Sequence, residues 1–422
     1  MTLLFVNASQ VVTCAGPPRA RRGAEMREAG VLQKVAVAVE GTRIAAVGDA
    51  RALAKAHPGA REVDCTGCIL TPGLVDSHTH AVFGRPRYDE HELRAAGLGY
   101  MEIAERGGGI HASVRDLRGR TEDELHDLSI ARVRKLASFG TTTVEIKSGY
   151  GLNTEAELKT LRVIARLADE LPLRIVPTWL GAHEIPLEFR GRATGRGECV
   201  DQLTGEMLRE VSRSGLARFA DIFCEPGVFT VHESRAILTA AKNAGLAVKL
   251  HADELEYSGG AELAAELGAV SADHLGAVSE AGIAALARSD TVATLLPGTM
   301  LFLGRSRQAP ARALIDAGAA VALATDFNPG SSPTVNFPLI LTLGVSQLRM
   351  SAAEVVIAAT VNGAAALGLA AETGQLAPGF AADLALFEGD DFRELPYWYG
   401  DRRCRGSWSR GETCHPYEPG LG

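Results

Sequence analysis

The chain has 422 residues, of which 46 % are apolar and 22 % charged, and 51 acidic against 43 basic residues give a formal net charge of −8. This length predicts either two or three domains or one large barrel with an accessory module, and the composition excludes disordered, coiled-coil and collagen-like proteins. The acidic balance argues against nucleic acid or an anionic membrane surface as a partner.

The first residues of the chain and its cysteines bear on the cellular compartment in which the protein is expected. Residues 1–7 lack the basic segment and the apolar run of a signal peptide, and no stretch reaches the ~18 uninterrupted apolar residues that a membrane span needs. Seven cysteines in a chain of this length favour reduced thiols over a disulfide framework. Cys65 and Cys68 have the spacing of a zinc or redox pair, but because no second such pair exists we interpret them as buried structural thiols. We therefore expect a cytoplasmic protein.

Both ends of the chain carry strand-like patterns separated by turn residues. The predicted strands are Leu3–Thr13, Val35–Glu40, Arg43–Val47 and Arg61–Leu70 near the beginning, and Ala382–Phe387 and Arg403–Ser409 near the end. Ala15–Gly30 contains two adjacent prolines and several arginines, and we expect it to be an inserted, solvated loop. The shared β character predicts that the two ends fold together.

Between the ends, short apolar segments alternate with longer amphipathic ones, the pattern of a parallel sheet built from β–α–β units. The eight predicted strands are Leu70–Asp76, Thr142–Lys147, Leu173–Trp179, Ala220–Cys224, Ala247–His251, Ser271–His274, Thr291–Leu296 and Ala320–Thr325. The amphipathic segments include Thr121–Phe139, Thr154–Leu171, Val231–Ala244, Gly259–Leu267 and Ser279–Ala287. Eight such units favour a (β/α)₈ barrel with its site at the carboxyl ends of the strands. A doubly wound open sheet is the alternative, but no glycine-rich phosphate loop follows the first strand.

Polar residues recur where the predicted strands end. Such segments are Asp76–His80, Lys147–Tyr150, His183–Glu184, Glu225, His251–Glu254, Asp273–His274 and Asp326–Asn328. In a barrel these segments converge on one mouth, so the sequence predicts a single polar site there. Gly107–Gly109, between the first two strands, is interpreted as a loop, with a lid over the site as the open alternative.

Three histidines and one aspartate among these residues form a candidate metal site. His78 and His80 are one residue apart, so on a strand both imidazoles point the same way. His251 ends the fifth predicted strand and Asp326 follows the eighth. This donor set suits zinc or ferrous iron, and an open position on the ion would hold an activated water. We expect one ion, because the fourth strand ends in Glu225 rather than in a lysine that could be carbamylated to bridge two metals.

Two further residues are candidates for proton transfer. Glu254 lies three residues after His251, where it can face the substrate and exchange a proton with a ring nitrogen. His274 ends the sixth predicted strand and serves either as the group that deprotonates or orients the water, which we favour, or as an extra ligand. Lys147 and Lys249 are interpreted as internal cations paired with nearby carboxylates rather than as catalytic groups.

These motifs resemble those of a known superfamily. Pro72–His80 resembles the first-strand signature of the amidohydrolases, and Ala358–Gly368 is similar to their return from barrel to sandwich. Within that superfamily the chain resembles the imidazolonepropionase family over nearly its whole length. The likeness rests on His78–Gly84, Thr143–Leu152, Gly181–Glu184, Phe223–Glu225, His251–Glu254 and Thr325–Ser331.

The resemblance implies an architecture and a set of site residues. It implies a (β/α)₈ barrel of residues 71–368 and a small β-sandwich domain built from residues 1–70 and 369–422. The implied ligands of one zinc or iron ion are His78, His80, His251 and Asp326, and the implied acid–base pair is Glu254 and His274. The implied substrate contacts are Arg87, Tyr150, His183, Glu254, Asn328, Gly330 and Ser331.

Two arginines, Arg85 and Arg87, compete for the role of gripping a carboxylate on the substrate. The family often has a glycine where this chain has Arg85, and the spacing from His80 favours Arg87. An arginine is suited to the role because its guanidinium can bind a carboxylate with two parallel hydrogen bonds. The role of Arg85 stays open.

By this resemblance we expect a hydrolase that opens the ring of 4-imidazolone-5-propanoate to N-formimidoyl-L-glutamate in histidine degradation, using a metal-activated water. One alternative is a metal-dependent deaminase of a nitrogen heterocycle, which would release ammonia. Another is a metal-binding scaffold protein, which would tolerate loss of Glu254 and His274. The expected partner is a small-molecule substrate, and the oligomeric state stays open, with a homodimer among the options.

Overall fold

The computed structural model describes residues 2–98, 102–103 and 107–417. The strands are β1 (Thr2–Val6), β2 (Gln10–Val12), β3 (Val31–Leu32), β4 (Val35–Glu40), β5 (Arg43–Asp49), β6 (Arg61–Asp64), β7 (Cys68–Pro72), β8 (Leu74–Asp76), β9 (Thr141–Lys147), β10 (Arg174–Ala182), β11 (Phe219–Cys224), β12 (Ala247–Ala252), β13 (Ser271–His274), β14 (Val292–Leu295), β15 (Val321–Leu323), β16 (Leu384–Glu388), β17 (Cys404–Ser409) and β18 (Glu412–His415).

The helices of the described residues accompany the strands in alternation. They are α1 (Ala50–Ala56), α2 (Tyr88–Ala95), α3 (Ile110–Gly119), α4 (Glu122–Ala137), α5 (Thr154–Glu170), α6 (Gly195–Thr204), α7 (Glu206–Ser214), α8 (Val231–Asn243), α9 (Gly260–Leu267), α10 (Glu280–Arg288), α11 (Pro297–Phe302), α12 (Ala311–Asp316), α13 (Phe337–Ser346), α14 (Ala352–Ala359) and α15 (Val361–Ala365), with short 3₁₀ turns at Gly23–Arg27, Leu187–Phe189 and Phe392–Glu394. Within the described ranges, no helix combines the length and the apolar character that crossing a membrane requires.

Strands β8 to β15 form one parallel sheet in sequence order. The first and last strands are joined beyond their ends, where Thr79 pairs with Phe327 and the His80 N–H donates to the Phe327 carbonyl at 2.8 Å. The sheet is therefore closed, and the (β/α)₈ barrel is confirmed. Every residue of β9 is buried, as expected for a strand covered by helices outside and by packed side chains inside.

Helix starts in the barrel follow from local capping. The Thr121 hydroxyl accepts a hydrogen bond from the Glu124 N–H at 3.2 Å, and the Glu124 carboxylate accepts one from the Thr121 N–H at 2.8 Å. Thr230 and Glu233 form the same reciprocal pair at the start of α8. Such a capping box satisfies backbone donors that a helix leaves open, so these helices begin within a residue of where the sequence predicts.

Both chain ends build the second layer of the molecule. Strands β5, β4, β1 and β6 form one sheet, and β18, β17, β16, β7, β2 and β3 form another. Apolar side chains of the two sheets share one core, in which the Phe5 and Trp408 rings meet edge to face at 4.9 Å. The β-sandwich made from both ends is thereby confirmed. The residue boundaries between the parts stay a prediction, and residues 418–422 of the final part lie outside the described residues.

The predicted first barrel strand Leu70–Asp76 is wrong in its extent, because two strands share this stretch. β7 pairs with β16 of the sandwich, whereas β8 pairs with β9 of the barrel. The chain changes sheets at Gly73, where a Cβ atom would collide with the side chain of Thr142. The sequence alone does not show where one strand ends and the next begins, because both strands are buried and their residues form one apolar run.

The prediction of a solvated loop at Ala15–Gly30 holds for residues 15–19, which are exposed, but not for the part that follows. Met26 is fully buried, and the Arg22 guanidinium donates to the backbone carbonyls of Ala287 and Gly318, each at 3.2 Å. Carbonyls at the end of a helix lack partners within the helix, and Arg22 supplies donors for those at the end of α10. The arginines that suggested solvation therefore tie this segment to the bottom of the barrel.

Candidate active site

The carboxyl ends of the barrel strands surround a cavity of about 360 Å³. Its lining includes most of the predicted site residues, namely His80, Arg87, Tyr150, His183, His251, Glu254, His274, Asp326, Asn328, Gly330 and Ser331. His78 is fully buried next to this cavity, with its ring 4.5 Å from that of His251. The structure thus brings the predicted residues together at one mouth.

The three predicted histidine ligands converge on one position, which we call the metal point, and Asp326 lies beside two of them. Nε2 of His80 and Nε2 of His251 are 3.4 Å apart, and Nε2 of His78 and of His80 each lie 3.6 Å from Oδ1 of Asp326. The Thr299 hydroxyl donates to the other Asp326 oxygen, Oδ2, at 2.6 Å. Oδ1 is therefore left facing the histidines.

The chemistry of this donor set fits a divalent cation. Nε2 of His78 is buried and has no hydrogen-bond partner among the described residues, although buried polar atoms are normally paired. Burial, followed by nearby cationic groups, holds the pKa of His78 and of His80 well below the ordinary histidine value. Neutral imidazoles with free lone pairs are the form that binds a metal.

Carboxylates behind two of these rings fix their orientation. Oδ2 of Asp273 is 2.6 Å from Nδ1 of His78, and Oδ2 of Asp221 is 3.1 Å from Nδ1 of His251. A carboxylate accepts a hydrogen bond, so the Asp273 contact keeps the proton of His78 on Nδ1 and leaves its Nε2 lone pair facing the shared point. The Asp221 carboxylate favours the same tautomer of His251 by its charge.

Two lysines lie beneath this layer, inside the barrel. Nζ of Lys147 is 2.7 Å from Asp221 and 2.9 Å from Glu145, while Nζ of Lys249 is 2.7 Å from Glu145. Burial works against the charged form of Lys147, but the carboxylates of Asp221, Glu145 and Asp273 outweigh it and raise its pKa. The prediction that Lys147 and Lys249 are internal cations paired with carboxylates is confirmed.

The same lysines account for a second cluster of metal-type groups. His78, Glu145 and Asp273 also lie close enough together to hold an ion, but the ammonium groups of Lys147 and Lys249 already contact its carboxylates. The negative charge of that cluster is therefore balanced by the protein itself.

Glu254 and His274 face each other at the edge of the metal point. Oε2 of Glu254 is 3.6 Å from Nε2 of His274. Burial, reinforced by Asp326 and Glu225, raises the pKa of Glu254 well above its ordinary value, and burial holds the pKa of His274 well below its own. A carboxyl with a raised pKa holds its proton more readily, and a neutral imidazole can accept one, so the two groups suit the roles of proton donor and acceptor. His274 also lies within ligand distance of His78 and Asp326, so its assignment as base rather than ligand stays a prediction.

Arg87 and Arg85 lie in different surroundings. Arg87 lines the cavity and packs on Gly330, where a Cβ atom would collide with the guanidinium. Nε of Arg87 is buried and has no hydrogen-bond partner in the described part of the chain. Arg85 is half exposed and paired with Asp89 at 2.5 Å. These surroundings favour Arg87 as the group that meets a substrate carboxylate.

The remaining predicted contacts line the cavity walls. The His80 and His183 rings stack at 5.1 Å, and Nδ1 of His183 is 2.9 Å from the Gly149 carbonyl. Tyr150 is buried beside them. Across the mouth, the Asn328 side-chain oxygen accepts hydrogen bonds from the N–H groups of Gly330 and Ser331, both at 2.8 Å, so it shapes the loop that carries them. Their contacts to substrate stay a prediction.

Several residues of this mouth are not predicted as site residues from the sequence. Asp221 and Thr299 support the metal point, and Glu90, Arg94 and Arg305 line the cavity or its edge. A signal existed for Asp221, since a carboxylate within an otherwise apolar strand needs a buried partner. The other residues lie on helices and loops whose approach to the mouth depends on the tertiary fold.

Family models match two parts of the chain. One described as amidohydrolase family matches residues 69–408, and one described as imidazolonepropionase-like composite domain, bacteria, matches residues 36–60. The imidazolonepropionase of Chloroflexus aggregans is 46 % identical over 97 % of this chain and 98 % of its own length. That of Symbiobacterium thermophilum is 47 % identical over 94 % of this chain and 93 % of its own.

Solved structures share the fold at lower identity. An adenosine deaminase from Xanthomonas campestris with bound zinc aligns with a TM-score of 0.72 at 22 % identity, covering 97 % of this chain and 92 % of that one. An atrazine chlorohydrolase from Arthrobacter aurescens complexed with zinc aligns with a TM-score of 0.70 at 18 % identity, covering 97 % and 94 %. At such identities the likeness extends to the fold alone.

Proposed function

We propose that this chain, which belongs to the imidazolonepropionase family of amidohydrolases, hydrolyses the ring of 4-imidazolone-5-propanoate to N-formimidoyl-L-glutamate in histidine degradation. The observation that carries the proposal is one mouth of the barrel that brings together three convergent histidines, a neighbouring aspartate, a carboxyl–imidazole pair and a buried arginine. These groups match the needs of hydrolysis at a ring carbonyl that bears a carboxylate tail nearby.

His78, His80, His251 and Asp326 would hold one divalent ion, zinc or iron. When bound, such an ion lowers the pKa of water and polarises a carbonyl oxygen. Asp273 and Asp221 keep two of the rings in the tautomer that offers Nε2. Lys147 and Lys249 balance the charge below, which supports a single ion per chain.

His274 and Glu254 divide the proton transfers in this proposal. The neutral His274 imidazole accepts a proton from the attacking water as its oxygen bonds to the ring carbonyl carbon. As the ring C–N bond breaks, the protonated Glu254 carboxyl donates to the departing nitrogen, so the net change is addition of one water. Their separation of 3.6 Å lets the two groups serve adjacent atoms of one ring and return to their starting states by exchanging a proton.

Arg87 would bind the propanoate carboxylate. Its buried Nε has no acceptor among the described residues and so offers a donor to the substrate, and Gly330 leaves room for the guanidinium beside the cavity. Tyr150 and His183, on the opposite wall beside His80, would contact the ring. The deaminase alternative is supported by fold likeness at 22 % identity, and release of ammonia would distinguish it from ring hydrolysis.

The direct test incubates the metal-loaded protein with 4-imidazolone-5-propanoate. We expect loss of the imidazolone absorbance, appearance of N-formimidoyl-L-glutamate and no ammonia, whereas ammonia release would favour the deaminase. Elemental analysis should find one ion per active chain. His78→Ala should lose both the ion and turnover, by about 10³-fold or more, because a Lewis acid contributes several kcal/mol to such a barrier. Full metal content in that variant would show that the ion binds elsewhere.

We also propose that the enzyme acts in the cytoplasm. No disulfide joins any of the seven cysteines, all of which lie in the described residues. Burial raises the pKa of Cys65 to about 12, as expected for an unreactive structural thiol in a reducing compartment. Size-exclusion chromatography with light scattering would distinguish a monomer from a homodimer.

A further inference from the structure

Two loops at the barrel mouth are each held by one buried glutamate from a neighbouring element. Glu157, in the first turn of α5, is fully buried. Its carboxylate accepts hydrogen bonds from the N–H groups of Gly149 at 3.2 Å, Gly151 at 2.8 Å and Leu152 at 2.9 Å. Three backbone donors of a loop without regular structure thus converge on one side chain.

Glu225 does the same for the loop after β12. It follows β11 and is 5 % exposed, and its carboxylate accepts from the N–H groups of Glu254 at 3.0 Å, Leu255 at 3.2 Å and Glu256 at 2.8 Å. Neither Glu157 nor Glu225 faces the metal point in these contacts. Glu157 therefore stands outside the chemistry assigned so far, and Glu225 enters it only through its effect on the pKa of Glu254.

The backbone of each loop needs such support. Leu152 and Asp253 adopt left-handed conformations, with φ of 54° and 50°, which cost energy for residues other than glycine and persist only when surrounding contacts hold them. A carboxylate that accepts several N–H groups at once can fix a short loop in such a conformation.

The two loops carry different functional groups. The loop at 149–152 includes Tyr150, and its Gly149 carbonyl contacts Nδ1 of His183 at 2.9 Å, so it positions two predicted substrate contacts. The loop at 254–256 includes Glu254, the predicted proton donor, whose carboxyl meets His274 only at 3.6 Å. The backbone of that loop, rather than a strong side-chain contact, sets the position of Glu254.

We infer that Glu157 and Glu225 are positioning residues with separate effects: Glu157 sets the substrate-binding loop, and Glu225 sets the loop of the proton donor. This inference rests on the proposed function, since the roles of Tyr150, His183 and Glu254 come from it. Removing the Glu157 contacts should raise KM, and removing the Glu225 contacts should lower kcat.

Leucine substitutions remove all acceptors at similar volume. Glu225→Leu should lower kcat by about 10²-fold, the cost of an ångström-scale misplacement of a reacting group, with KM changed by less than about threefold. Glu157→Leu should raise KM by roughly tenfold with a smaller change in kcat. Hydrogen–deuterium exchange should accelerate at amides 254–256 only in Glu225→Leu, and at 149–152 only in Glu157→Leu.

Glutamine substitutions give a second, isosteric comparison. At Glu157, Oε1 accepts from Gly151 and Leu152, and the Gly149 N–H is shared between Oε1 and Oε2 at 3.2 Å each. An amide oxygen in the place of Oε1 still offers an acceptor to all three N–H groups, although the amide NH₂ then lies near the Gly149 N–H. Glu157→Gln should therefore restore the wild-type KM in part. At Glu225, Oε2 serves Glu254 while Oε1 serves Leu255 and Glu256. An amide NH₂ must then face a backbone N–H in either orientation, and Glu225→Gln should stay impaired.

Glu233→Gln provides a matched control, because Glu233 accepts the Thr230 N–H at 2.8 Å at the start of α8, away from the cavity. Its kinetics should equal those of the wild type.

Glu254→Gln tests the proposed proton donor separately: if that variant retains full kcat, the proposed function fails at this residue. If Glu254→Gln loses turnover while Glu225→Leu and Glu225→Gln keep both wild-type kcat and slow exchange at 254–256, the positioning role is overturned. Equal losses and faster exchange in both loops in every variant would also overturn it, since a general loss of stability would then explain the effects.

Discussion

The metal side and the carboxylate side of the mouth are built differently. On the metal side, His78 and His251 lie at strand ends and each is backed by a carboxylate, Asp273 at 2.6 Å and Asp221 at 3.1 Å. On the other side, Arg87 precedes a short helix, and its nearest carboxylate, Glu90, is 3.9 Å away. One side is completed by the protein, and the other leaves charged donors for the substrate.

This difference reflects what each side must bind. A metal ion needs ligands held in one geometry before it arrives, which requires partners behind each ligand. Burying two lysines and three carboxylates for that purpose is costly in desolvation, and such networks persist only when each charge is paired. A carboxylate tail, by contrast, brings its own charge, so an arginine with unused donors gains its partner on binding.

The largest expected effects come from the proton-transfer pair at the boundary of the two sides. Glu254→Gln and His274→Asn should keep the ion and bind substrate while kcat falls by about 10²–10⁴-fold, the ordinary size of general acid–base catalysis. Metal analysis and steady-state kinetics on the same samples check this. Loss of the ion from His274→Asn would make His274 a ligand, and an undiminished kcat in Glu254→Gln would leave the ring nitrogen to another donor.

The next effect concerns the support behind the metal ligands. Asp273→Asn should weaken metal affinity by about 10–100-fold, because an amide no longer secures the His78 tautomer that offers Nε2. Competition with a chelator measures this directly. Asp127→Asn is a control, since Asp127 is exposed beside His126 on α4. Unchanged affinity in Asp273→Asn would mean that the barrel packing alone orients His78.

On the carboxylate side, Arg87→Met should raise KM by about 10–100-fold, the value of hydrogen bonds to a charged group. The fall in kcat should be smaller, because binding energy lost at a group remote from the reacting bond appears mainly in KM. Arg85→Met should be nearly neutral, since Arg85 is half exposed and pairs with Asp89. Michaelis–Menten kinetics of both variants decide between the two arginines, and the reverse pattern would assign the role to Arg85.

The sequence revealed the metal side better than the carboxylate side for a physical reason. Residues at strand ends inherit their positions from the barrel, so the sequence predicts that His78, His251 and Asp326 lie together. Glu90 and Arg94 reach the mouth from α2, whose direction depends on tertiary packing and has no signature in local periodicity.

Errors in the predicted fold have a similar origin. The division of Leu70–Asp76 between two sheets depends on strand partners far away in sequence, such as β16. The packing of Ala15–Gly30 depends on Arg22 finding carbonyls at Ala287 and Gly318. Local patterns predict that an apolar segment is buried, but not which element covers it.

The smallest expected effect tests whether Glu90 competes with the substrate for Arg87. Oε1 of Glu90 accepts the Gly109 N–H at 2.8 Å, and its carboxylate lies 3.9 Å from Nε of Arg87. In Glu90→Gln an amide oxygen can still accept from Gly109, while the negative charge beside Arg87 and Arg94, which lies 3.6 Å from the other oxygen of Glu90, is gone. KM should therefore fall by roughly two- to fivefold, the size of a weak ion pair, with kcat unchanged. Asp89→Asn, at the exposed neighbour, should leave KM unaltered when both variants are measured at one ionic strength. A rise in KM for Glu90→Gln would instead mean that Glu90 holds Arg87 in its binding orientation, and the carboxylate side would then be supported by the protein in the same way as the metal side.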